Sequence, residues 1–114
     1  MEKSGKLEIA ERYVAAYNAH DIDAMLDLYA EGGTMEDPVG SPVAEGKQAI
    51  AARYREGFEM GVTIELDGAI RCAGDSVAFP LRTATEPRIF IIDVFDLDAQ
   101  GRIERMRAYW SPET

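Results

Sequence analysis

Residues 88–98 read RIFIIDVFDLD, and the Asp at position 93 stands inside the most hydrophobic run of the chain. A carboxylate is seldom buried without a partner. Ile89, Ile91, Phe95 and Leu97 share its strand parity, while Phe90, Ile92 and Val94 take the other, so either face of this strand is apolar. Such surroundings disfavour the charged form and raise the carboxyl pKa. Two readings follow. Asp93 is either an anion paired with one of the arginines or an acid held neutral, able to donate a hydrogen bond. The strand by itself leaves both open.

A second carboxyl stands in MEDPVG, where Asp37 precedes Pro38 and its backbone is pushed toward an extended conformation. Taken singly, an Asp-Pro pair is a turn starter. Tyr13, Tyr29 and Tyr54 each fall on the apolar side of a predicted helix, and each buried hydroxyl needs a polar partner. Other chemistry is poorly supplied. One His, His20, and one Cys, Cys72, make a zinc site improbable, and no Asp-rich loop has calcium-site spacing. Cys72 reads as a small packing residue that cannot close an intrachain disulfide. No metal and no cofactor are expected, so acid–base chemistry falls to carboxyls and tyrosines.

The elements that must position these groups are helices first and strands after. Leu7, Ala10, Val14 and Tyr17 form the stripe of an amphipathic helix that Ile9 and Tyr13 widen, ending near Ala19. Asp21 caps a second helix with Ile22, Met25, Leu26 and Tyr29 inward, and Gly32-Gly33 is expected to end it. Residues 34–46, with two prolines, predict a short strand and a loop; Lys47 to Met60 predict a third helix carrying Ile50, Tyr54 and Phe58. After Gly61 the period becomes two. Strands are predicted around 62–67, around 77–81 with Pro80 at an edge or bulge, over 88–97 and over 102–110. In the last, Ile103, Arg105, Arg107 and Tyr109 share one parity and Met106, Ala108 and Trp110 the other; Arg102, Arg105 and Arg107 are read as a solvated or partner-facing set. The pattern predicts an α+β domain, three N-terminal helices packed on a curved, mostly antiparallel sheet.

With 114 residues and a 46% hydrophobic fraction, residues 1–114 predict one domain with a single core. Twelve basic against 21 acidic residues, net -9, disfavour nucleic acid as a ligand. The start, MEKSGKLEIAER, has no apolar core of signal-peptide length and nowhere do 18 apolar residues run together, so a cytoplasmic, non-membrane protein is expected.

In order along the chain, ERY (11–13), DIDAMLDLYAEGGTMEDPVG (21–40), GKQAIAARYREG (46–57) and IIDVFDLDAQGRIERMRAYW (91–110) resemble the Δ5-3-ketosteroid isomerase family. The likeness runs from about Leu7 to Ser111. It implies the cone-shaped α+β fold shared with nuclear transport factor 2 and a cofactor-free steroid Δ-isomerase acting on an apolar steroid-like substrate. It further implies Asp37 as general base, Tyr13 and a protonated Asp93 as oxyanion donors, and Tyr54 and Tyr29 bonded in series behind Tyr13. Trp110 and Met106 match lining residues of the family's apolar pocket; Phe79, Leu81 and Phe95 are further candidates for its walls. A homodimer through the exposed sheet face is also implied. The stretch between Leu81-Arg82 and Asp93 is shorter than in the bacterial isomerases, which predicts a tighter hairpin at TATEPRI and an altered pocket rim. Polyketide cyclases, epoxide hydrolases and non-catalytic binding modules share the fold and stand as alternatives.

Overall fold

Helix α1 (Lys3–Asn18) buries Ile9, Ala10, Tyr13 and Ala16, spaced three and four apart, while Leu7, Val14 and Tyr17 flank this line half-buried. The computed structural model of the chain describes residues 3–111. Asn18 pins the end of α1 to the sheet, its amide accepting from Ile64 N–H and donating to Ile64 C=O, both at 2.8 Å. Asp21 caps α2 (Ile22–Leu26) by accepting from the Ala24 amide at 3.1 Å.

Here the chain departs from the expected helix. Helix α2 stops after Leu26, and Tyr29 opens strand β1 (Tyr29–Glu36) instead of closing a helix. The backbone partner decides this: Ile103 N–H donates to Leu28 C=O at 2.8 Å, drawing the chain into the sheet. Gly32-Gly33 therefore marks a strand irregularity, not a helix stop. Tyr29 pairs with Ile103 but Thr34 with Arg105, and a Cβ at Gly33 would lie 2.9 Å from the Ile103 carbonyl oxygen.

Strand β2 (Ala44–Glu45), helix α3 (Lys47–Glu59), β3 (Ile64–Leu66), β4 (Arg71–Ala73), β5 (Ser76–Thr83), β6 (Phe90–Leu97) and β7 (Ile103–Tyr109) complete the chain. The sheet order is β2-β1-β7-β6-β5-β3, with β4 also paired to β5; β1 and β7 run parallel and the other pairs antiparallel. The result is the α+β cone fold, helices on one face of an open, curved sheet. Strand β5 alternates without a break, Val77, Phe79, Leu81 and Thr83 inward. Pro80 sits where β5 passes from β4 to β3; its carbonyl accepts from Asp67 N–H on that side, where no ladder needs the amide proline lacks.

Strand β6 settles the parity of the opening stretch. Asp93, Phe95 and Leu97 are buried with Ile91 half-buried, whereas Phe90 and Ile92 are each 51% exposed on the outer face. Ile103 is a correction: it is fully buried, because the register shifts between Asp96 and Leu97 where β6 meets β7. Of the arginine set, Arg102 and Arg105 are exposed, and Arg107 is half-buried against Asp96 at 3.2 Å. Among the described residues no helix is long and apolar enough to cross a membrane.

Candidate active site

A cavity of about 410 Å³ opens between α1, α3 and the inner face of the sheet. Tyr13, Asp37, Asp93 and Trp110 all line it. Its walls are Val62, Ile64, Leu81, Ile89 and Ile91, and the turn between β5 and β6 supplies Thr85, Glu86 and Pro87. That turn is closed by hydrogen bonds: Thr83 N–H donates to Ile89 C=O, and Thr83 Oγ1 accepts from Ile89 N–H at 2.7 Å while donating to Pro87 C=O at 3.0 Å.

Asp93 lies in mid-β6 opposite Phe79 of β5 and Ala108 of β7, 2% exposed. Among the described residues no lysine or arginine forms an ion pair with it. Burial pushes its carboxyl well above the usual range, the charge of Asp37 pushes the same way, and a hydrogen bond from Tyr13 opposes them. Of the two readings of this residue, the ion pair fails.

Tyr13 projects from α1 into an aromatic nest, its ring centroid 5.0 Å from that of Phe95, 6.1 Å from Phe79 and 6.1 Å from Tyr54. Tyr54 Oη donates to Tyr13 Oη at 3.3 Å and meets Tyr29 Oη at 2.6 Å. A phenol has one proton to give, so Tyr29 donates to Tyr54, Tyr54 to Tyr13, and the Tyr13 proton is left for Asp93 or a ligand. Burial raises all three phenols well above their ordinary value and keeps them protonated.

Asp37 is placed otherwise. It is the first residue after β1, half-buried, and Trp110 Nε1–H donates to its Oδ1 at 2.6 Å. The loop it opens is held to the sheet by Val39 N–H donating to Ala108 C=O at 2.8 Å. Burial raises the Asp37 carboxyl, but the Trp110 bond and the Arg53 guanidinium pull it back. Its carboxyl stays above the ordinary value, but less far above it than that of Asp93.

The structure thus brings together Tyr13, Asp37, Asp93, Tyr54 and Tyr29, and it corrects the expected walls. Leu81 and Trp110 face the cavity; Phe79, Phe95 and Met106 do not, being fully buried one layer behind. Strand alternation marks them as inward but does not give depth, and the Tyr13 ring packs edge-on against Phe79 and Phe95. Trp110 is more than a wall, since its indole N–H holds Asp37. Among the cavity residues that sequence reasoning does not single out are Arg53 and Tyr17. Tyr17 follows Tyr13 by one helical turn, which placed it on the same face. Burial, with the charges of Asp37 and Asp93, pushes its phenol up to about 12. Arg53 carries no such periodic signal. Among the described residues no group of three His, Cys, Asp or Glu could hold a metal ion.

Comparison with known proteins places the chain in a family. The SnoaL-like domain family matches residues 10–110. The steroid Delta-isomerase of Nocardioides simplex is 36% identical over 106 residues, covering 89% of this chain and 85% of that protein. Epoxide hydrolase LasB of Streptomyces lasalocidi is 29% identical, covering 90% of this chain and 40% of that protein. Among solved structures, the epoxide hydrolase/cyclase-like enzyme SalBIII, described for pyran ring formation in the polyether salinomycin, superposes with a TM-score of 0.89. It is 32% identical, covering 98% of this chain and 95% of that one.

Proposed function

The chain belongs to the SnoaL-like domain family, and within it we propose that this protein is a steroid Δ-isomerase. One observation carries the reading: a carboxyl raised by burial but held down by an indole N–H and a guanidinium, a carboxyl raised well above the usual range and a phenol at the end of a proton-donating chain share one apolar-walled cavity.

A β,γ-unsaturated 3-oxosteroid has an acidic C–H between its carbonyl and its alkene. Asp37 takes that proton; the electron pair moves into the carbonyl, and a dienolate forms with negative charge on oxygen. Tyr13 and protonated Asp93 donate to that oxygen in a water-poor site, where one such donor supplies about 3 to 4 kcal/mol of transition-state stabilisation. Protonated Asp37 then returns the proton two carbons further along, giving the conjugated enone. One carboxyl serves as base and then acid, and the balance needs no other reactant. Leu81, Ile89 and Ile91 offer the apolar walls that a steroid body needs.

The exposed Phe90, Ile92 and Tyr109 support a second copy docking on the outer sheet face. The lone free thiol, Cys72, supports a cytoplasmic setting.

Kinship with LasB and SalBIII favours a second reading, epoxide opening. There Asp37 would deprotonate an attacking hydroxyl, a C–O bond would form at the epoxide carbon, and Asp93 would protonate the departing oxygen. Androst-5-ene-3,17-dione separates the two. Isomerisation raises ultraviolet absorbance at the enone band; turnover of an epoxy alcohol with no enone formed would support epoxide opening instead.

A further inference from the structure

Helix α3 carries Tyr54 toward the tyrosine chain, and the residue before it, Arg53, turns toward the catalytic loop. Arg53 is half-buried in the cavity wall. Its Nη1 donates to the Asp37 carbonyl at 3.5 Å and its Nη2 donates to the Pro42 carbonyl. Among the described residues no carboxylate forms an ion pair with it. Both ends of the 37–42 loop are therefore tied to α3 by one side chain, whose positive charge is left unneutralised beside Asp37. The loop's other bonds run to itself, to β1, to β7 or to the residue after it: Ser41 N–H and Oγ to Pro38 C=O, Gly40 N–H to Glu36 Oε2, Val39 N–H to Ala108 C=O, Trp110 Nε1–H to Asp37 Oδ1.

We propose that Arg53 is a positioning residue of the base, clasping the 37–42 loop to helix α3 and setting a permanent cation beside Asp37. The assignment rests on Asp37 being the base of the proposed reaction. Two carboxyls in one cavity repel each other as anions, so one ionises first. Asp37 faces the Trp110 N–H after β7 and Arg53 of α3, and shares the cavity with Tyr13 and Tyr17 of α1, Glu56 of α3, Glu86 of the β5–β6 turn and Asp93 of β6. Arg53 is the only cation among these lining residues. Asp93 has the Tyr13 bond alone in its favour. A guanidinium suits both tasks, since its fixed fork spans two acceptors while its charge is permanent.

The test is a carboxyl-carbon NMR titration of wild type, Arg53→Lys and Arg53→Gln, with Asp37→Asn assigning the resonance, run beside pH–rate profiles on the oxosteroid. Removing the cation raises the Asp37 pKa, so Arg53→Gln is expected to titrate at higher pH than wild type. The acid limb of kcat/KM should move the same way, and the rate loss should be larger at pH 5 than at pH 8. Arg53→Lys keeps charge but not the fork: its titration should stay near wild type while its plateau kcat falls roughly 10- to 100-fold from a displaced base. An unmoved Asp37 titration in Arg53→Gln overturns the proposal. If that variant does not fold, a wild-type plateau in Arg53→Lys overturns the clasp, and Arg53→Met takes over the titration. Absence of isomerase turnover with a shifted titration would sink the isomerase reading while leaving Arg53's hold on Asp37 standing.

Discussion

Asp37 and Asp93 open onto one cavity but are built into it in opposite ways. Asp93 stands mid-strand between Phe79 and Ala108, with a phenol as its hydrogen-bond partner. Asp37 stands where a strand gives way to a loop, with an indole N–H and a guanidinium beside it. Side-chain chemistry is identical, so the difference in ionisation is made by the surroundings alone: burial raises both carboxyls, and at Asp37 an indole donor and a cation hold the rise below that of Asp93. Substitutions at the two ends should therefore fail in different ways.

The largest effect is expected at the loop end. Asp37→Asn keeps shape and removes the base, so turnover should fall about 100- to 10,000-fold while steroid affinity is kept or improved. Titrating a steroid against the variant by fluorescence, beside its turnover, checks both halves.

At the strand end, Asp93→Leu should cost roughly 100- to 1,000-fold in turnover, one lost oxyanion donor. Its urea midpoint should equal or exceed that of wild type, because a poorly solvated carboxyl leaves the core. A buried ion pair would instead lose about 3 to 5 kcal/mol on breaking. Stability should also respond to pH with a definite sign. The native Asp93 pKa is raised, so both states are protonated below the ordinary Asp value of about 3.9. As pH rises through that value toward the native pKa, only the unfolded chain gains the charge, and wild type loses stability. The advantage of Asp93→Leu should thus grow from pH 4 to pH 8; a constant difference would mean that Asp93 is ionised in the native state.

Among the tyrosines the order should be Tyr13→Phe, then Tyr54→Phe, then Tyr29→Phe, because influence declines along the chain of bonds. Ring volume is kept in all three, so rates report hydroxyls. Equal losses would dissolve the distinction between donor and support.

The smallest effect is expected at Gly57, where an added Cβ would lie 2.5 Å from Tyr17 Oη. Gly57→Ala should push that phenol within the cavity and raise KM by about two- to fivefold with little change in kcat, in keeping with a perturbed wall contact worth about 1 kcal/mol.

How much of this was legible beforehand varied with the kind of signal. Asp93 stood out because a charge in an apolar run breaks the expected pattern whichever face is buried. Asp37, Tyr13, Tyr54 and Tyr29 were placed by resemblance, and the structure brings all four to one site with Asp93. Element type failed at Tyr29, where Gly-Gly reads locally as a helix stop and only the distant pairing with Ile103 makes it a strand bulge. Depth failed at Phe79, Phe95 and Met106, since alternation distinguishes inward from outward but not first layer from second. Arg53 was invisible for a different reason: a charged residue on a helix reads as solvated until the loop it clasps is in place.

The most direct measurement is ultraviolet absorbance at the enone band after androst-5-ene-3,17-dione is added to wild type and to Asp37→Asn in parallel. Base catalysis from Asp37 predicts a fast rise with wild type and a rate at least about 100-fold slower with the variant. No rise with wild type, or an equal rise with both, would contradict it.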